Sequence, residues 1–191
     1  MSHLILVKHS LPEILPTLPA NQWHLSEAGR ARCGLLADQL AIYAPAILVS
    51  SPEPKALETA QLVAQRMHTR VQVVDGLHEH DRSNTAWLGP EQFDGAVAAF
   101  FQHPEVLVLG RETARQAAER FARSVATVTS WSTEQNIVVV THGTVLSLFV
   151  ACATGLEPFA LWKRLGLPSF VVLRWPQLEL LSVVETMAPV S

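Results

Sequence analysis

Two histidines in this chain stand where sheets of mixed α/β proteins do their chemistry. Leu4-Ile5-Leu6-Val7 runs into Lys8-His9-Ser10, and Ile137-Val138-Val139-Val140 runs into Thr141-His142-Gly143. Each apolar run reads as a buried strand that releases one imidazole and one small residue at its exit, and strand exits are where open α/β sheets bind ligands. Parallel neighbours end on the same edge of a sheet, so the two imidazoles can converge although they lie far apart in sequence. A third exit, Ser50-Ser51-Pro52, opens a helix and brings Lys55 one turn in. With Lys8, these exits offer imidazoles, ammonium groups and helix N-termini, whose free N–H groups and positive dipole ends favour an anion. That is the chemistry of a phosphate pocket.

Such exits need a scaffold, and the chain supplies alternating strand and helix signals. After the strand at 4–8, Pro12, Pro16 and Pro19 exclude regular structure over 11–24, a loop that starts beside His9 and can wall a site. Ser26 caps a helix with Glu27 in its first turn and Gly29, Cys33, Leu36 and Leu40 at helical spacing. Residues 46–49 form a second strand. Ser51 as N-cap and Pro52 as first helical residue begin a helix with Ala56, Ala60, Val63 and Met67 toward the core and Lys55, Glu58 and Thr59 on the other face. Residues 71–74 read as a short strand before a polar segment over 75–89. Helices follow over 90–101 and between Glu112 and Ser130, the second with a polar face of Arg115, Glu119 and Arg123. Beyond the strand at 136–141, residues 144–154 are apolar nearly all round, as in a buried helix. A short helix over 159–165 and strands over 170–174 and 178–183 complete the chain. This order implies a three-layer α/β/α architecture with a mostly parallel central sheet.

The composition narrows the function. With 191 residues, 49% of them hydrophobic and 16% charged, the chain can bury a substantial core, and no polar or Pro/Gly-rich linker divides it, so 1–191 is expected to be one domain. A net charge of −3 gives no basis for a nucleic-acid partner. No apolar stretch reaches membrane-spanning length and no basic leader precedes one, so a cytoplasmic protein without membrane contact is expected. Cys33 and Cys152 sit in apolar helical patterns and read as free buried thiols.

The residues around the three exits resemble a known family. Val7-Lys8-His9-Ser10, the run from Ser50 through Lys55 to Thr59-Ala60, and Val140-Thr141-His142-Gly143 look like the three signatures of the histidine phosphatase superfamily, also called phosphoglycerate mutase-like. Leu25-Ser26-Glu27-Ala28-Gly29 and Gly110-Arg111-Glu112 fall where that family has supporting pieces. The resemblance implies that His9 is a nucleophile forming a phosphohistidine, that His142 is the second pocket histidine, and that Lys8 and Lys55 bind the phosphoryl oxygens. Glu79 matches the family's acidic position and would protonate the leaving group, then activate water; Asp81 and His80 are the alternatives. Neither metal nor cofactor is required by that chemistry.

This sequence departs from the family at the cations, where two arginines are usual. Lysine keeps the charge and gives up the planar fork that holds two oxygens at once. Ser10 replaces a common glycine. Ser51, Gly143 and Arg82 are further candidate pocket residues, and Arg82 is the one additional arginine, against Arg111 and Arg164, in a loop placed near the site. Trp23 and Trp87 lie in the two loops expected to frame the pocket, and His24 reaches it only if its loop folds inward. His78 and His80 have no third metal ligand at recognisable spacing. The expected function is metal-independent hydrolysis of phosphomonoesters, with a mutase less favoured because the short chain leaves little room for enclosing insertions. A phosphorylated small molecule or phosphoprotein is the expected partner. The alternative is a catalytically weak member of the family that binds such a ligand without turning it over.

Overall fold

The computed structural model describes residues 2–44 and 46–187. Side chains alternate across its central strands and feed two separate cores. From β1 (Ser2–Lys8), Leu4 and Leu6 face one side and Ile5 and Val7 the other; from β4 (Asn136–Thr141), Ile137 and Val139 oppose Val138 and Val140 in the same way. A strand buried on both faces needs helices on both, which accounts for the near-continuous apolar runs. On one side lie α1 (Glu27–Leu40) and α2 (Pro54–Arg66). The other carries α3 (Pro90–Gln102), α4 (Ala114–Thr129), α5 (Gly143–Thr154) and α6 (Pro158–Arg164).

The sheet has six strands in the order β3-β2-β4-β1-β5-β6. β3 (Val71–Val73), β2 (Ala46–Ser50), β4 and β1 are parallel, β5 (Ser169–Trp175) runs antiparallel to β1, and β6 (Glu179–Val184) antiparallel to β5. The fold is the expected α/β class with a mostly parallel central sheet between helical layers. Its register decides where chemistry can sit: Lys8 is level with Thr141, and Ser50 with Val140. The three exits leave the sheet side by side.

Several local expectations are corrected. The proline-rich loop contains a short 3-10 turn at Ala20–Gln22, and Pro12 bridges to Leu25. Helix α2 begins two residues later than its first serine suggests, with Glu53 as N-cap and Pro54 as first residue. Ser51 Oγ instead accepts from the Glu53 backbone N–H. Cys33 is buried as expected, but Cys152 is exposed, because α5 is buried at its N-terminal half and emerges at its end. Among the described residues, no helix is long and apolar enough to cross a membrane.

Candidate active site

His9 leaves β1 with its backbone N–H donated to the Thr141 carbonyl at 3.0 Å, which locks its exit to that of β4. Its Nδ1 lies 2.7 Å from the Ser10 carbonyl oxygen. A carbonyl can only accept, so Nδ1 carries the proton and Nε2 keeps its lone pair. The ring is only 6% exposed yet lines a cleft of about 900 Å³. Burial, then the neighbouring His142, Lys55 and Lys8, hold its pKa well below the ordinary histidine value, and the Ser10 carbonyl opposes this only in part. His9 therefore presents a neutral imidazole with an available Nε2 at neutral pH. The two exits converge because β1 and β4 are parallel neighbours ending on the same edge: the rings of His9 and His142 are 5.2 Å apart, edge to face. His142 is fully buried, pairs through Nε2 with Ser51 Oγ at 2.8 Å, and has its pKa lowered by burial and by Lys55.

Glu79 approaches the same point from the segment after β3. Its carboxylate accepts from the backbone N–H groups of Thr144 and Val145, at 3.1 and 3.3 Å, and from that of His80 at 2.9 Å. The anion drawn to the N-terminus of α5 is thus the protein's own glutamate. Burial opposes its ionisation, but Arg82, with Nη2 3.9 Å away, His142 and these N–H groups prevail and take the pKa down to about 2. The alternatives to Glu79 are otherwise engaged. Asp81 accepts from the backbone and hydroxyl of Ser83, and His80 stacks on Phe100 at 4.0 Å with its Nε2 near the Leu109 and Glu112 carbonyls. His78 bonds its own neighbour's carbonyl, so His78 and His80 do not share a centre. Among the described residues, no group of three His, Cys, Asp or Glu side chains is placed to hold a metal ion.

The lysines differ in placement. Lys55 is buried and lines the cleft, not the solvated face of its helix, and donates to the Ala20 carbonyl and to Glu53. Lys8 turns its ammonium to the Leu165 carbonyl at 2.7 Å, beside the Trp162 ring, and is not part of the cleft wall. Gly143 makes room for this, since a Cβ there would stand 3.1 Å from Lys8 Cε and 3.2 Å from Trp162 Nε1. Burial lowers the Lys8 pKa to about 8, with Glu79 partly offsetting it. If Lys8 swings to an anion in the cleft, its charge is present below pH 8 and lost as pH rises through that value. Affinity for sulfate, which does not titrate in this range, is then expected to fall about tenfold between pH 7 and 9 in the wild type. In Lys8→Arg, whose guanidinium stays charged, it is expected to remain level. Flat wild-type affinity by calorimetry would leave Lys8 on Leu165 and outside the site.

Other candidates fall into place by what they touch. Ser10 Oγ donates to the Gly29 carbonyl, and its N–H to Thr59 Oγ1, so Ser10 braces the exit and does not face the cleft. Gly29 is required there: a Cβ would sit 2.0 Å from the Leu11 carbonyl oxygen. Arg82 lines the cleft with its guanidinium 4.8 Å over Phe93 and Nη1 buried without a hydrogen-bond partner. Arg111 is exposed, and Arg164 pairs with Glu185. Trp23 and Trp87 meet across the mouth at 5.9 Å, whereas His24 stays outside on Glu58.

Sequence reasoning missed three residues. Glu53, buried, accepts from the Glu79 backbone N–H at 2.8 Å, holds Lys55, and lies 3.7 Å from His142 Nε2. Thr59 accepts from the Ser10 N–H and donates to the Lys55 carbonyl, tying α2 to the His9 exit. Arg120 on α4 donates to the carbonyls of Gly76, His78 and Glu79 and to Glu112, holding the acidic segment in place. Gly110 supports the same segment, with φ of +77° and no space for a Cβ, which would meet the Asp81 carbonyl oxygen at 2.3 Å.

Comparison with known proteins gives the family and the fold. Residues 19–179 match the family described as the histidine phosphatase superfamily (branch 1), a span that starts beyond the His9 exit. Mycobacterial glucosyl-3-phosphoglycerate phosphatase, solved with VO3, superposes with a TM-score of 0.79 at 22% identity, covering 97% of this chain and 100% of that one. The same enzyme with inorganic phosphate gives 0.75 at 23% identity, covering both chains fully (100% each). Phosphoserine phosphatase from Entamoeba histolytica, solved with 3-phosphoglyceric acid, gives 0.78 at 20% identity over 97% of this chain and 98% of that one. These likenesses show the shared fold. No curated protein sequence matches the chain.

Proposed function

As this chain belongs to branch 1 of the histidine phosphatase superfamily, we propose that it hydrolyses phosphomonoesters through a phosphohistidine on His9. The observation that carries this reading is the His9 tautomer, with Nδ1–H held by the Ser10 carbonyl, which leaves the Nε2 lone pair unprotonated on a ring that lines the cleft. In the first step Nε2 attacks phosphorus, a P–N bond forms, the P–O bond to the leaving group breaks, and Glu79 as an acid gives that oxygen its proton. In the second, Glu79 as a carboxylate takes a proton from water, whose oxygen attacks phosphorus; the P–N bond breaks and its electron pair returns to His9. Lys55, Arg82 and a repositioned Lys8 balance charge on the equatorial oxygens, and Arg82 supplies the planar fork that lysine lacks. No step calls on a metal. We take 1–191 to act as one cytoplasmic domain.

A second reading is favoured by one observation, that Lys55 is held by Glu53 while Lys8 sits on Leu165. On that reading the protein binds a phosphorylated ligand or phosphoprotein without turning it over. Acid- and alkali-quenched incubations with ³²P-labelled aryl phosphate separate the two. A hydrolase is expected to release phosphate in many turnovers and to yield an alkali-stable, acid-labile label of up to about one per chain, as a single nucleophilic imidazole requires. Saturable vanadate binding with neither product nor label would establish the binder instead.

A further inference from the structure

Outside its phosphate end, the cleft changes character. His9 and Lys55 are buried, whereas Ile14 and Trp87, which line the same cleft, are 53% and 49% exposed, so these two polar groups lie at its floor and these apolar ones at its rim, with Thr17, Asn21 and Ser83 also exposed there. Leu18 and Trp23 from the proline-rich loop, and Leu88 and Phe93 opposite, complete the apolar wall. The Trp23 indole N–H is spent on the Leu15 and Leu18 carbonyls, leaving a hydrocarbon face toward Trp87. The lysine and arginine side chains lining the cleft are Lys55, held by Glu53 at the floor, and Arg82, which lies beside Glu79 and over the Phe93 ring. Of the carboxylates, Asp94 is paired with Lys163, and Asp81 accepts from Ser83. Among the described residues, a second anionic group on a substrate would meet no lysine or arginine on the 11–24 side of the cleft or at Trp87. Large exposed apolar side chains gathered around one cleft are unusual unless something covers them, and a cleft of this volume fits an organic group of drug size.

We infer that the substrate is a small phosphomonoester whose leaving group is a bulky, uncharged hydrocarbon, seated between the 11–24 loop and the Trp87–Phe93 wall. This rests on the phosphatase reading for turnover but not for binding. Straight-chain alkyl phosphates from ethyl to octyl share one leaving-group chemistry, so their rates report burial alone. kcat/KM is expected to climb about fourfold per added methylene until the cleft is filled, and Trp87→Ala to flatten that slope. Alkyl phosphonates, which cannot be hydrolysed, are expected to show the same chain-length dependence in affinity by calorimetry. If no phosphate ester turns over while phosphonate affinity still rises with chain length, the phosphatase reading fails and the apolar occupant stands. If affinity and rate are flat along the series, or phosphoserine outpaces octyl phosphate, the apolar occupant fails. A phosphotyrosine peptide hydrolysed faster than every alkyl phosphate would overturn the small-molecule occupant.

Discussion

His9→Ala is expected to lower hydrolysis of an aryl phosphate by about four orders of magnitude or more and to abolish the covalent label, while vanadate or sulfate still binds. The basis is the division of labour around the ring. In this reading the phosphoryl group is held by other side chains: Lys55 on α2, Arg82 after β3, and Lys8 at the end of β1 with its ammonium at the Leu165 carbonyl. His9 itself contributes the lone pair at Nε2, and burial keeps that lone pair unprotonated across the physiological range. Alanine removes the nucleophile and leaves the backbone bond to Thr141 intact. Phosphate release by the variant at more than a tenth of the wild-type rate, with binding unchanged, would show that water or another side chain attacks directly.

The strand exits were legible because an apolar run that stops at a histidine is a local pattern, and the sheet register then places such stops side by side. What periodicity misjudges is polarity that faces inward. Lys55 and Thr59 fall on the face of α2 away from its apolar stripe, yet both are buried, since that face is turned toward the cleft and the His9 exit. Glu53 carries no local signal of its own, because its role comes from contacts with Lys55 and with the Glu79 backbone N–H, a residue 26 positions away in sequence. Ser51 and Pro52 have the form of a helix start, but Ser51 Oγ is committed to His142 and to the Glu53 N–H, and Pro54 two residues later takes the first helical position. Gly110-Arg111-Glu112 is legible only as a likeness; in three dimensions its glycine lets the chain pass His80 and Asp81, and its glutamate joins Arg120 in bracing the segment that carries Glu79.

Glu79→Gln is expected to separate substrates by leaving group. With a nitrophenyl phosphate, whose anion departs without a proton, formation of the phosphohistidine should change little. With an alkyl phosphate, whose oxygen must be protonated as it leaves, turnover should fall by a factor of about 10² to 10⁴. The unliganded carboxyl, with its pKa at about 2, is ionised at neutral pH, so its proton must arrive with the substrate. A phosphoryl anion placed beside Glu79 opposes a second negative charge and raises its pKa, and the phosphate monoanion, prevalent below a pKa of about 6, brings a proton to share. Wild-type kcat/KM for alkyl phosphates should therefore rise as pH falls from 7.5 toward 5.5, with burial lowering the pKa of His9 and opposing protonation of its imidazole. A side-chain amide cannot relay that proton, so the variant should lose this acid-side gain. In the proposed mechanism the same residue is the base of the second step. In the variant a nitrophenyl substrate should thus give a burst of about one nitrophenolate per chain, followed by slow release as water attacks without assistance. Equal losses on both substrates with no burst would move the proton transfer from Glu79 to a group acting through water.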